Sequence, residues 1–305
     1  DSWLRPSKGV HIVVPREKLA TDDALTMRHP EDRRVLFVLP YHEHTVIGTT
    51  DTDFDADLDS LESSCEDVRY LIAAANHAFP GTDLGPDDVI SSWTGVRPLL
   101  RQEDAGSPSA VSREHRIQVR NDGIVVIAGG KLTTYRKMAA ECLDLAAPAI
   151  GVAGGTAPTQ GELTKKVPLP GALGLSSEEA LEELAQEVSQ PFEAGSYVGT
   201  HLAHLYGSRA REVAGIARSV EGAAERVDEA LPYVWAEAIH AARSEHACCL
   251  EDFMVRRTHL FYRCADQGLA VAERAAELMG AELGWSDEER RAQIDAYEER
   301  VEANN

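Results

Sequence analysis

Ile124-Val125-Val126-Ile127-Ala128-Gly129-Gly130-Lys131-Leu132-Thr133-Thr134-Tyr135-Arg136-Lys137-Met138-Ala139 reads as a strand that turns abruptly into a helix. The apolar, largely β-branched run makes the strand. Two glycines allow a sharp turn and a close approach of backbone to ligand. The helix is expected to continue through Leu145, and its first turn leaves N–H groups free at the positive end of the dipole. With Lys131, such a corner can hold negative charge on a phosphate or on a reduced cofactor. Glycines at a strand-to-helix turn also serve purely structural ends, and these residues alone leave both readings open.

Two nucleotide-binding patterns fail at this corner. A Walker loop needs Gly with four residues between it and Gly-Lys, and Ser or Thr directly after, but Val125 and Leu132 stand there. The dinucleotide fingerprint Gly-x-Gly-x-x-Gly is also missing, and the cluster Gly151, Gly154, Gly155 has no strand leading into it. That cluster reads as linker.

Working outward from the corner, the N-terminal portion is β-rich. Val10–Val14 reads as a short buried strand, and Val35–Leu39 with Thr45–Gly48 as a hairpin around Tyr41-His42-Glu43-His44. Ser64 can cap a helix to about Phe79, with Val68, Leu71, Ile72, Ala75 and Phe79 on one face. Val89–Leu100 reads as a long strand. Ile117–Arg120 and Ile124–Ala128 form a hairpin whose Asp122-Gly123 supplies the positive-φ turn positions.

Gly, Pro and Thr concentrate around 150–172, which places a domain boundary there. The division drawn is 1–160 and 161–305. Beyond it helical patterning dominates, opened by the cap Ser176-Ser177-Glu178-Glu179 and continuing near 194–206, 208–220, 232–247, 267–282 and 286–301. The fold class is therefore α+β, a β-rich portion followed by an α-helical domain.

The 305 residues carry a net charge of −21, which argues against nucleic acid as a partner. No apolar run reaches membrane-span length, and no signal-peptide pattern opens the chain. Asp1-Ser2-Trp3-Leu4 reads as the start of a piece cut from something longer. Five scattered cysteines lack zinc-ligand spacing and point to free thiols in a reducing cytoplasm. Only six lysines occur, which makes Lys131 a notable choice.

Arg97, Arg113 and Lys131 stand at strand ends or turns, where arginine forks and a lysine can grip phosphate or carboxylate oxygens. A local salt bridge is the plainer account of either arginine alone. His11, at the start of an apolar strand, is a candidate base of near-neutral pKa, or else a core histidine satisfied by backbone. His42 and His44 flank Glu43 at an expected solvent-exposed hairpin tip. The alternation Asp51, Asp53, Asp55, Asp57, Asp59 lacks the Gly and terminal Glu of a calcium loop and reads as an acidic loop, so no metal site is assigned.

Ser7-Lys8-Gly9-Val10-His11-Ile12-Val13-Val14, Gly48-Thr49-Thr50-Asp51, Gly95-Val96-Arg97-Pro98-Leu99, Ser112-Arg113-Glu114-His115 and Gly129-Gly130-Lys131-Leu132-Thr133-Thr134-Tyr135-Arg136 together resemble FAD-dependent glycerol-3-phosphate dehydrogenase. Tyr206-Gly207-Ser208, Tyr233-x-x-Ala236-Glu237 and Asp252-Phe253-Met254-Val255-Arg256-Arg257-Thr258 resemble that family's helical C-terminal domain. The family's βαβ unit with the dinucleotide fingerprint has no counterpart here, so the resemblance is to the C-terminal part of the enzyme.

This resemblance implies the substrate-binding, flavin-cap portion of a two-dinucleotide-binding-type flavoprotein, with FAD as cofactor. Arg97 and Arg113 would bind the phosphate of glycerol 3-phosphate and orient its C2 hydroxyl, and His11 would take the hydroxyl proton. Gly129, Gly130, Lys131, Leu132, Thr133 and Thr134 would lie against the isoalloxazine, where Lys131 stabilises negative charge on reduction. Electrons would pass to a quinone, or to oxygen in the related oxidases. The implied setting is cytoplasmic, with possible peripheral contact at the inner face of the cell membrane and a possible homodimer. A non-catalytic helical interaction fragment of the same enzyme is the rival from another class.

Overall fold

The computed structural model describes residues 3–58, 60–101, 114–147 and 163–304. The chain divides into two compact units, Asp1–Val167 and Pro168–Asn305. The boundary expected between 160 and 161 lies outside the described residues, as do Arg113 and the cluster Gly151, Gly154, Gly155.

In the first unit, a mixed-length antiparallel sheet is built on β1 (Leu4–Pro15). One edge of β1 pairs with β6 (Ser91–Leu100) over its length. The other edge is shared by β4 (His44–Gly48) at His11–Pro15 and β5 (Thr52–Asp53) at Ser7 and Lys8. β3 (Val35–Tyr41) and β2 (Leu25–Arg28) extend the sheet beyond β4.

Strand alternation splits β1 into two faces. Val10, Ile12 and Val14 are fully buried in one core with Leu71, Ile72 and Ala75 of α1 (Cys65–Ala78). α1 starts as the sequence indicates: Ser64 Oγ accepts from the Asp67 N–H, and the Asp67 carboxylate accepts from the Ser64 N–H. Lys8, on the same face as Val10, donates to Asp67 at 2.6 Å and ties the helix start to β1. The opposite face presents Ser7, Gly9 and His11, and this is the face that bears the site.

β7 (His115–Val119) and β8 (Val125–Gly129) form a separate hairpin, followed by a 3₁₀ turn at Leu132–Thr134 and α2 (Tyr135–Ala146). A short α3 (Leu163–Lys166) comes next. The corner is thus a 3₁₀ turn leading into the helix rather than a helix from its first residue. His44 departs from the expected solvent-facing tip: it is buried and pairs with both Tyr41 and Pro15 across the strands. The acidic alternation also resolves differently. Asp51 is buried, and Asp53 accepts two bonds from Arg5 at 2.6 and 2.8 Å, so these two are structural anchors.

The second unit is helical: α4 (Glu178–Ser189), α5 (Ser196–Tyr206), α6 (Ala210–Ser219), α7 (Trp235–Ser244), α8 (Leu260–Arg263), α9 (Leu269–Leu283) and α10 (Asp287–Asn304). The family-like motifs here are structural. Glu237, fully buried, accepts from His201 Nε2, the Tyr206 hydroxyl and the Val234 N–H at 2.9, 3.0 and 2.8 Å. That satisfies a charge which burial alone would penalise heavily. Gly207, at φ +56, lies against the Gly171 carbonyl, where a Cβ would collide. Asp252–Arg257 forms a π-helical turn, closed by Thr258 donating to the Phe253 carbonyl at 2.7 Å. Among the described residues no helix is long and apolar enough to cross a membrane.

Candidate functional site

Cross-strand register assembles one row of the site. Ser7 faces Arg97, Gly9 faces Gly95 and His11 faces Trp93 between β1 and β6, while His11 faces Gly48 on β4. With a period of two, these side chains share one face of the sheet.

Gly9 makes room for Arg97. A Cβ there would lie 2.5 and 2.6 Å from the two terminal guanidinium nitrogens. The guanidinium therefore rests on bare backbone, with Nη2 donating to Thr49 Oγ1 at 3.0 Å and to the Thr50 carbonyl at 3.2 Å. Its Nη1 faces Asp51 Oδ1 at 3.4 Å and Ser7 Oγ at 3.5 Å. Gly48 does the same for His11, whose ring occupies the space a Cβ would need.

His11 stacks on Trp93 with centroids 5.0 Å apart and planes 15° from parallel. Burial first, and the Arg97 charge second, push its pKa down to about 4. The near-neutral value expected from sequence is thus corrected: the imidazole is neutral at physiological pH, and its affinity for a proton is weaker than expected. Its Nδ1 is buried without a hydrogen-bond partner among the described residues. The alternative of a core histidine satisfied by backbone is therefore not met at Nδ1 among the described residues.

The glycine corner faces Arg97. A cavity of about 360 Å³ is lined by Val96, Arg97, Pro98 and Leu99 on β6 and by Gly129, Gly130, Lys131 and Leu132. Both glycines adopt positive φ, +74 and +88. A Cβ on Gly129 would come within 2.6 Å of the Glu114 carbonyl, and one on Gly130 would overlap the Met138 side chain. Bare backbone at this turn is a steric requirement. Lys131 and Leu132 are exposed, Leu132 to 87%. Thr133 and Thr134 are exposed on the 3₁₀ turn, and Thr134 Oγ1 donates back to the Lys131 carbonyl at 3.0 Å. His115 on β7 bonds Glu141 on α2 at 2.6 Å and fixes the helix against the hairpin.

The geometry thus brings Arg97, Lys131 and the two glycines around one cavity and sets His11 on the same sheet face as Arg97. The N-terminal residues 2–136 match the model of the family described as FAD dependent oxidoreductase, and residues 162–290 match the C-terminal domain of alpha-glycerophosphate oxidase. The chain belongs to the FAD-dependent glycerol-3-phosphate dehydrogenase family. It is 37% identical to glycerol-3-phosphate dehydrogenase 2 of Mycobacterium tuberculosis over 98% of its own length and 49% of the relative's. The aerobic glycerol-3-phosphate dehydrogenase of Staphylococcus saprophyticus is 32% identical over 95% of this chain and 51% of that protein. A crystal structure of glycerol-3-phosphate dehydrogenase from Bacillus halodurans, complexed with FAD, superposes with a TM-score of 0.80 at 30% identity, covering 99% of this chain and 57% of that one. The chain spans about half the length of the curated relatives it matches.

Within this family member, residue typing finds Arg97, Lys131 and His11 but not their supports. Ser7, Thr49, Asp51 and Trp93 surround the site without having been assigned to it. A usable signal is strand alternation: Ser7 lies four residues before His11 and Trp93 four before Arg97, each on the same strand face as its chosen neighbour.

Proposed function

We propose that this chain supplies the substrate-binding and flavin-facing part of an enzyme that oxidises sn-glycerol 3-phosphate to dihydroxyacetone phosphate and passes electrons to a quinone. The observation that carries the reading is that Arg97 and Lys131, 34 positions apart in sequence, line one cavity with two side-chain-free residues. A cation pair beside bare backbone suits a phosphorylated substrate next to a flat ring.

The residues fit a flavin. Gly129 and Gly130 line the cavity with bare main chain at positive φ, and Lys131 adds a positive charge at the cavity wall. Gly129, Gly130, Lys131, Leu132, Thr133 and Thr134 would hold the ring. FAD, when bound, supplies the two-electron acceptor for the C2 hydride.

This chain's own residues do the rest. Arg97 takes the substrate phosphate through its fork, and Arg113, outside the described residues, is assigned the same task from its motif. His11, held neutral by burial and the Arg97 charge, receives the C2 hydroxyl proton. A bound phosphate would offset the Arg97 charge that helps depress His11, strengthening it as a base when substrate is present. Lys131 and the helix start behind it stabilise negative charge at the cavity. A lipid-dissolved quinone calls for peripheral contact at the inner face of the membrane in a cytoplasmic enzyme.

A second reading has its own support: the C-terminal model that matches is an oxidase domain, so oxygen is the alternative acceptor. The full-length FAD-loaded protein tests both. Its flavin should bleach on adding glycerol 3-phosphate, with reoxidation by a soluble quinone far faster than by oxygen. Arg97→Ala should weaken substrate binding, a charge-assisted contact being worth about 1.5–3 kcal/mol, while Lys131→Ala should lower the flavin potential. A flavin that stays oxidised with substrate would refute the dehydrogenase reading and favour the helical interaction fragment.

A further inference from the structure

The edge of β1 opposite β6 is irregular just where Arg97 lies. His11 pairs with Gly48 and Lys8 with Thr52, so four residue steps on that edge face three on β1. One extra residue is accommodated within 49–51, as in a β-bulge. The Val10 N–H is still satisfied, donating to Thr50 Oγ1 at 2.9 Å, and the Thr50 N–H donates to the Val10 carbonyl at 3.3 Å.

The consequence is a cluster of acceptors aimed at the Arg97 guanidinium. Thr49 Oγ1, the Thr50 carbonyl and Asp51 Oδ1 all come from this three-residue bulge. Asp51 is fixed from two further directions. Ser7, fully buried and directly opposite Arg97 in the register, donates its hydroxyl to Asp51 Oδ1. Arg34 on the far side donates to the Asp51 main-chain carbonyl. The carboxylate is therefore a held group, while its contact to Arg97, at 3.4 Å, is long for a charge-assisted bond. It directs the fork without closing over it.

We infer that Asp51 is a positioning residue: braced by Ser7 and Arg34, it sets the angle at which Arg97 presents its guanidinium to the phosphate of the substrate. The inference rests on the proposed pocket and assigns it a supporting residue.

Charge alone makes the opposite prediction, which makes the idea testable. Asp51 is an anion beside an anion site, so removing it should tighten phosphate binding by Coulomb's law. Loss of orientation should instead weaken binding. The measurement is calorimetric titration of inorganic phosphate into the full-length FAD-loaded enzyme, with KM and kcat for glycerol 3-phosphate alongside. Asp51→Ala is expected to weaken phosphate binding and raise KM about tenfold, with a smaller change in kcat. Asp51→Asn keeps an acceptor for Ser7 and should recover part of the loss. In an Arg97→Ala background, Asp51→Ala should no longer weaken binding.

Equal or tighter phosphate binding in both Asp51 variants would overturn the positioning role. So would an equal loss with and without Arg97, since Asp51 would then act on something else. Unchanged phosphate affinity in Arg97→Ala alone is a separate failure, that of the pocket itself.

Discussion

α1 and α2 are amphipathic helices of similar length in the same unit, and they end up in different surroundings. α1 buries Leu71, Ile72, Ala74 and Ala75 against the β1 sheet, whereas α2 has no buried residue. On α2, Tyr135, Ala139 and Leu143 fall along one exposed stripe, which Leu132 on the preceding 3₁₀ turn continues. A 3.6-residue pattern thus sets the helix but not what covers it. The β1 sheet holds its helix through a hydrophobic core. The β7–β8 layer holds its helix through a hairpin ladder, a glycine corner and the His115–Glu141 pair.

The contrast is broken most directly by trimming one leucine on each helix. Leu71→Ala should cost about 2–5 kcal/mol, because it removes a fully buried side chain from a packed core. Leu143→Ala, at a side chain 62% exposed, should fall within about 0.5 kcal/mol. Denaturant midpoints of the two variants would decide it. Comparable losses would mean that α2 has an apolar partner in solution, and the distinction between the two helices would fail.

A smaller effect tests how the second layer is held. Gly129→Ala places a Cβ 2.6 Å from the Glu114 carbonyl at φ +74, and backbone does not yield as a side chain does. Its cost should be about 1–3 kcal/mol. Gly123→Ala is the control, since Gly123 has φ +83 but open space around it. The Gly129 variant should be the more destabilised, with the excess seen as lost amide-exchange protection in β7 and β8. Equal behaviour would show that the corner relaxes freely and is no fixed cradle.

Legibility in the sequence followed the same division. Alternation in Val10, Ile12 and Val14 and the Ser64 cap are local signals, and both gave the right element. β1 nevertheless extends from Leu4, well before Val10, because Ser7, Lys8 and Gly9 are polar or bare for reasons of site and helix anchoring. β2 is only four residues long, Leu25-Thr26-Met27-Arg28, so its alternation is too short to mark a strand, and three of the four are exposed. Arg97 and Lys131 were legible as cations, although Arg97 lies within β6, paired with Ser7, rather than at a turn. Asp51 was not, because an Asp at every second position looks like a solvated loop until the bulge and Ser7 are seen in three dimensions. Nor could the sequence show that His11 is desolvated beside Arg97, which is a property of the folded neighbourhood.

That neighbourhood gives the smallest expected effect, on stability against pH. The His11 pKa is about 4 in the folded chain against an ordinary 6.5. Between these values the unfolded chain binds a proton that the native site refuses, so stability falls as pH drops from 6.5 toward 4. Below about 4 both states are protonated and this contribution levels off. Replacing His11 by Gln removes the titration and should flatten the pH dependence of unfolding in that window by on the order of 1 kcal/mol, because solvent screening at a half-buried ring reduces the roughly 3 kcal/mol that the full displacement from 6.5 to 4 would give. In an Arg97→Ala background the His11 contribution should shrink but persist, because burial, the larger cause of the shift, is retained. A His11→Gln chain with an unaltered pH–stability curve would mean that the imidazole is solvated, and the neutral base assigned to the β1 face would lose its physical basis.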